Sequence, residues 1–161
     1  MNIQNLSQVG GVFAVLVFWH FLADWTFQTH KEALAKAKNF WVRTRHCAVY
    51  AVMFWFLFLA VGFHGPRAGI ATMILFMSHF VIDTYVPVML WAKYLRRAPQ
   101  FSETVFIPGT WQDKRIETRL RTDEEAFKAF ASTPLGLVLM ITMDQLFHIA
   151  FLLPVAWLMI L

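Results

Sequence analysis

Four long apolar runs, separated by basic and polar gaps, set the pattern of this chain. They extend from about Val9 to Phe27, Cys47 to Phe63, Ala68 to Trp91 and Leu135 to Leu161. Each reaches, or nearly reaches, the ~20 residues a helix needs to cross a hydrocarbon layer of ~30 Å. One such run is compatible with a buried helix of a soluble protein. Four of them in 161 residues predict an all-α integral membrane bundle of about four transmembrane helices. The expectation is a single transmembrane domain, with residues 92–133 as a cytoplasmic loop between the third and fourth spans.

The gaps set an orientation. The stretch from His30 to Arg45 holds Lys31, Lys36, Lys38, Arg43 and Arg45 against Glu32 alone. The long gap holds Lys93, Arg96, Arg97, Lys114, Arg115, Arg119, Arg121 and Lys128. The turn from His64 to Arg67 carries one Arg, and the tail before the first run has no Lys or Arg. Because basic loops stay on the cytoplasmic side, both large gaps are expected there and both termini outside. That is a multi-pass protein of a bacterial inner membrane. The first run is too long, and its flank too poor in basic residues, for a cleavable signal peptide. Within the long gap, Ile107-Pro108-Gly109-Thr110 reads as a turn. Trp111 and its basic neighbours suit the membrane surface. Thr122 and Glu125 form a capping box, which predicts a short helix near 123–131. Pro134 suits the first turn of the fourth span.

Composition strengthens the membrane reading. The chain is 58% hydrophobic, with 17 Phe and 7 Trp, and its mean hydropathy is +0.53. Soluble domains are nearer ~45–50% apolar. The net charge of +4 would suggest nucleic acid in a soluble protein. Here the basic residues fall between apolar runs, so they read as topology signals and headgroup contacts. Membrane lipids are the expected partners, nucleic acid is not, and no oligomeric state follows. The single cysteine, Cys47, permits no internal disulfide or cysteine-based zinc site and reads as an apolar filler.

The candidate chemistry lies inside the spans. Only Asp24, Asp83 and Asp144 are acidic there, and each has a histidine four residues away: His20/Asp24, His79/Asp83 and Asp144/His148. Residues at that spacing share a helix face. Chance gives all three pairs on the order of 10⁻³ of the time. In the first and third spans His precedes Asp, and in the fourth Asp precedes His. With antiparallel spans, each Asp then lies on the cytoplasmic side of its own His. His46 opens the second span with Tyr50 one turn later. Gln28 extends the first stripe and Gln145 adjoins Asp144. Pro87 cannot donate to the carbonyl of Asp83, which predicts a kink there.

A carboxylate at mid-bilayer costs ~2.5–3.5 kcal/mol or more, so these groups are expected to face inward and to be paired. A divalent metal is one partner, and imidazole with carboxylate suits Zn, Mn or Fe. His20, Asp24, His79, Asp83, Asp144 and His148 are the candidate ligands. His46, Asp24, Asp83 and Asp144 are candidate acid/base groups for a metal-dependent hydrolase of a lipid or phosphoester. Lys31, Arg43 and Arg45 would hold a phosphate, with Gln28, Tyr50 and Gln145 as further substrate contacts. Two other readings fit the same letters. Three carboxylates and three imidazolium ions also cancel, so the cluster would serve proton or ion handling in a transporter subunit. Or it would be structural glue in a phage or host accessory membrane protein without catalysis. His30 and His64 fall in loops and are expected to be solvated.

The stretch from His20 to Thr29, the run Ala35-Lys36-Ala37-Lys38-Asn39, His46 with Tyr50, His79 to Asp83 and Asp144 to His148 together resemble a family of small bacterial and phage membrane proteins. It is catalogued as domain of unknown function 3307. The resemblance covers nearly the whole chain and implies the membrane class without an activity. The pairs His20/Asp24 and His79/Asp83 are also similar in spacing to those of all-helical zinc phospholipases and nucleases, and of membrane-bound metal-dependent hydrolases. Unlike those, these pairs lie in apolar spans.

Overall fold

The computed structural model describes residues 3–101, 105–106, 116–117 and 122–161. The expected turn at 107–110, Trp111 and the basic residues Lys114, Arg115, Arg119 and Arg121 lie outside them. Among the described residues seven α-helices follow one another: α1 Ile3–Thr26, α2 His30–Ala35, α3 Phe40–Ala60, α4 Pro66–Ile82, α5 Val86–Leu90, α6 Asp123–Ala131 and α7 Pro134–Ile160. The chain divides into two compact units. One comprises Met1–Tyr85 with Asp144–Leu161, the other Val86–Met143.

Helices α1 and α7 are long and apolar enough to cross a membrane. The number rises to three if α4 and the helical stretch beginning at Val86 count as one broken span. Among the described residues, length and composition thus give two or three of the four expected spans. The second run falls short because α3 begins at Phe40 and takes in Arg43, Arg45 and His46, leaving too few apolar residues behind them. The kink expected at Pro87 is an outright break. Helix α4 ends at Ile82, Asp83 caps it, Tyr85 adopts a left-handed φ of 60°, and a new helix starts at Val86. A positive φ is costly for a bulky aromatic residue, so the turn that fixes Asp83 is strained.

The gap from His30 to Arg45 is ordered. Thr29 and Glu32 form a reciprocal capping box that starts α2, and the Asn39 side chain accepts from Trp41 N and Val42 N to start α3. Helix α2 thus links α1 to α3 and packs against α3. His30 therefore begins a helix rather than lying in a loop, and it is exposed, as is His64.

The first unit is apolar outside as well as inside. Phe18, Trp25 and Trp41 are 65%, 62% and 77% exposed. Leu16, Phe54, Phe58, Ala68, Ala71, Leu75, Leu152 and Val155 pack the interior. Alongside that core, eight polar or charged side chains are buried among the described residues: His20, Asp24, Lys36, His46, His79, Asp83, Asp144 and His148. Large hydrophobic groups outward and ionisable groups inward is the distribution suited to a lipid solvent.

The second unit holds α5, a π-helical turn Trp91–Leu95, a 3-10 turn Pro99–Phe101, α6 and the first residues of α7. It also holds a two-residue antiparallel ladder, Val105 opposite Glu117 and Phe106 opposite Ile116, while the other regular elements among the described residues are helical. Its core joins Ala92, Ala98 and Phe130 with Trp91, Phe101, Phe127 and Leu139. Thr122 and Glu125 cap α6 reciprocally, and Lys93 Nζ bonds Asp123 at 2.8 Å.

Candidate functional site

Three helices of the first unit supply the centre of the buried cluster. Helix α1 brings Asp24, α3 brings His46, and α4 brings His79 with Asp83 at its C-cap. His46 Nε2 lies 3.0 Å from both Asp24 Oδ1 and His79 Nε2, and 3.5 Å from Asp83 Oδ2. His79 Nε2 lies 3.4 Å from Asp24 Oδ1 and 3.4 Å from Asp83 Oδ2. Four lone-pair atoms therefore face one another. Each neutral imidazole nitrogen carries at most one proton, so five close contacts cannot all be hydrogen bonds. The ligand atoms of Asp24, His46 and His79 all fall within 4.8 Å of one another, as do those of Cys47, His79 and Asp83.

The fit to an ion follows from these lengths. A tetrahedron of ligands at ~2.0–2.1 Å from a central ion has edges of about 3.3–3.4 Å. The separations among Asp24 Oδ1, His46 Nε2 and His79 Nε2 run from 3.0 to 3.4 Å, which suits three ligands of one ion, and Asp83 Oδ2 stands 3.4–3.5 Å from the two histidines. Two imidazoles with two carboxylates are also a donor set that zinc, manganese or ferrous iron accepts. Cys47 is buried, and its thiol stands 4.0 Å from Asp83 Oδ2, so it borders the site rather than merely filling space.

Around this centre the remaining polar groups form a connected shell. His20 Nδ1 meets Tyr50 Oη at 2.9 Å, and His20 Nε2 meets Gln145 Oε1 at 3.0 Å. Gln145 Nε2 donates to Asp24 Oδ2 at 3.4 Å and to Asp144 Oδ2 at 3.3 Å. His148 Nδ1 lies 2.9 Å from the Asp144 carbonyl oxygen, and His148 Nε2 is 3.7 Å from Asp83 Oδ1. Tyr50 stacks on His79 with ring centroids 4.0 Å apart. The six residues of the three His/Asp pairs thus converge, although His20 has both ring nitrogens engaged outside the four-atom centre.

Lys36 was hidden from sequence reasoning. It sits in a basic gap and reads as one more topology charge, yet it is 5% exposed. Its Nζ lies 2.8 Å from Asp83 Oδ1 and 3.8 Å from Asp24 Oδ1, and it donates to Gln28 Oε1 at 3.3 Å. Lys36 is the C-cap of α2, so the turn made by that short helix is what folds it inward. Burial pulls its ammonium down, but Asp83 and then Asp24 outweigh this and hold its pKa above 10.5. The Thr29–Glu32 box was the available sign that this gap is structured.

The other expected substrate contacts separate. Gln28, Tyr50 and Gln145 join the cluster as described. Lys31 is exposed. Arg43 is turned into the α2–α3 corner, where it donates to the carbonyls of Lys36 and Ala37 at 2.9 and 3.1 Å and lies over Phe80. Arg45 is 69% exposed along its side chain and pairs with Glu32. None of these three cations reaches the centre. A surface cavity of about 170 Å³, lined by Asp24, Trp25, Gln28, Thr29, His30 and Ala33, opens beside Asp24.

Long helices with aromatic residues outside and an ionisable cluster inside define a helical protein of the membrane class with an internal His/Asp site. The chain belongs to the family described as protein of unknown function (DUF3307), whose model matches residues 12–108. That stretch contains Asp24, Lys36, His46, His79 and Asp83, while Asp144, Gln145 and His148 lie beyond it. No curated protein and no solved structure matches the chain. The likeness to helical zinc hydrolases therefore rests on pair spacing alone.

Proposed function

We propose that this chain is a multi-pass protein of the bacterial inner membrane that holds a divalent transition metal and acts as a metal-dependent hydrolase of a lipid or phosphoester. One observation carries the metal reading. Asp24 Oδ1, His46 Nε2 and His79 Nε2, drawn from three helices, stand 3.0–3.4 Å apart, the spacing of three ligands of one ion, and Asp83 Oδ2 lies within 3.5 Å of both histidines as a fourth candidate. When bound, such an ion supplies Lewis acidity and lowers the pKa of water beside it.

The chain's own groups suit the rest of the task. A structural metal needs only four ligands, and this site surrounds four with further buried titratable residues. Asp144 and His148 stand one turn apart as acid/base candidates. Gln145 donates to Asp24 Oδ2 and holds that carboxylate in place. Lys36 brings the positive charge expected of Lys31, Arg43 and Arg45, and it is positioned to meet an anionic oxygen. The cavity beside Asp24 offers access from the membrane surface.

The test is metal content followed by turnover. Protein purified in detergent without chelator should carry a transition metal, and His79→Ala with Asp83→Ala should remove it. Metal-loaded protein should then release headgroup or phosphate from phospholipid or phosphoester substrates. A chain that neither carries metal nor takes it up loses the proposal. Proton handling is the second reading, favoured by the continuous path from Tyr50 through His20 and Gln145 to Asp24. It predicts pH-driven transport in metal-free vesicles.

A further inference from the structure

His148 presents a lone pair that the four-atom centre does not use. Its Nδ1 is 2.9 Å from the Asp144 carbonyl oxygen, which can only accept, so Nδ1 carries the proton. The other nitrogen, Nε2, is then bare in the neutral ring. It is buried in a side chain only 3% exposed and has no hydrogen-bond partner among the described residues. A protonated Nε2 would face Asp83 Oδ1 at 3.7 Å, too far for a hydrogen bond. The carbonyl contact is the arrangement by which metal-ligating histidines fix their tautomer and aim.

Asp83 is divided between two neighbourhoods. Its Oδ2 faces His46 and His79, while its Oδ1 faces Lys36 Nζ at 2.8 Å and His148 Nε2 at 3.7 Å. An ion ~2.1 Å from each of two ligand atoms spans a gap of about that length at an open angle. Carboxylates that use one oxygen per ion bridge metals ~3.5–4 Å apart. Asp144 Oδ1, also buried without a partner, is a further oxygen on the same helix turn as His148.

We infer that the chain has a second divalent-cation site, built from His148 Nε2 and Asp83 Oδ1, with Asp83 bridging it to the site of Asp24, His46 and His79. This rests on the metal reading above and extends it from one ion to two. Lys36 is the resident cation at Asp83 Oδ1 and must release that oxygen for the second ion to enter. The second ion is therefore the weaker, and it is the one an added anionic ligand would stabilise.

Stoichiometry tests this directly. The full-length, chelator-stripped chain in detergent is titrated with Mn²⁺, with free ion followed by electron paramagnetic resonance and bound ion by elemental analysis. Wild type should take up two ions in a tight and a weaker step, with the spectrum of a coupled pair at saturation. His148→Ala should keep the tight step and lose the weaker one and the coupling. Lys36→Met should strengthen the weaker step and leave the tight one in place. One ion in wild type, or two in His148→Ala, overturns the inference while leaving the first site standing. No bound ion overturns the metal reading itself. Because His148→Gln retains bulk and hydrogen bonding, it serves where His148→Ala fails to fold, and it should also lose the weaker step.

Discussion

His46 Nε2 and His79 Nε2 approach to 3.0 Å across the α3–α4 interface, each also facing Asp24 Oδ1 and Asp83 Oδ2. Two imidazole nitrogens that close, ringed by carboxylate oxygens, satisfy one another poorly as hydrogen-bond partners. They are well placed around a shared cation. Removing either ring should therefore weaken metal binding by about 100-fold or more, at or above the range seen for lost supporting groups. Competition against a chromophoric chelator, with His46→Ala and His79→Ala, measures it.

Acid should release the ion. Imidazole binds metal only when deprotonated, so protons compete for His46 and His79. Apparent affinity should fall as the medium is made more acid, because protons and the ion compete for the same ligand atoms. Affinity unchanged down to pH 4 would point to carboxylates alone.

Lys36 should matter most when no metal is present. Its ammonium answers Asp83 Oδ1 at 2.8 Å in a nearly solvent-free position. Breaking a buried pair by deleting one partner costs about 3–5 kcal/mol. Lys36→Met should lower the melting temperature of the metal-free chain, and added metal should recover much of the loss. Melting curves in detergent, with and without ion, show both halves.

Tyr50→Phe should be mild for the metal and visible in stability. It removes the hydroxyl that meets His20 Nδ1 at 2.9 Å and preserves the ring stacked on His79. The expected cost is about 1 kcal/mol, with metal content unchanged by elemental analysis.

Gly136→Ala tests the second unit. A Cβ at this position would meet the Phe130 carbonyl oxygen, with Thr133 Oγ1 at 2.6 Å and the Phe130 carbonyl carbon at 2.8 Å. Backbone cannot yield as a flexible side chain can, so about 1–3 kcal/mol of destabilisation is expected. Thermal unfolding followed by circular dichroism reads it.

The His/Asp pairs were legible because i,i+4 spacing puts two side chains on one helix face and because ionisable groups in apolar runs must turn inward. His46 was legible for its place at the head of a run beside Tyr50. What could not be read was reach. Lys36 enters through the turn made by α2, which depends on the Thr29–Glu32 cap and the Asn39 cap together. Arg43 and Arg45 have the right charge at the right height, but α3 turns one into a corner and the other to solvent. The break at Asp83 was only half visible. Pro87 announced a missing hydrogen bond, whereas the left-handed Tyr85 depends on contacts that the local sequence does not state. The second apolar run begins at Cys47, while the helix that carries it starts seven residues earlier with two arginines in it, a start set by the Asn39 cap rather than by hydropathy.

Lys36 also bears on how such a protein is made. A chain that brings its own ammonium to Asp83 need not fold with that carboxylate bare, whether or not the proposed ion is present. On the metal reading proposed above, assembly and loading would be separate events, and the supply of metal in the cell would act on a pool of protein already in place.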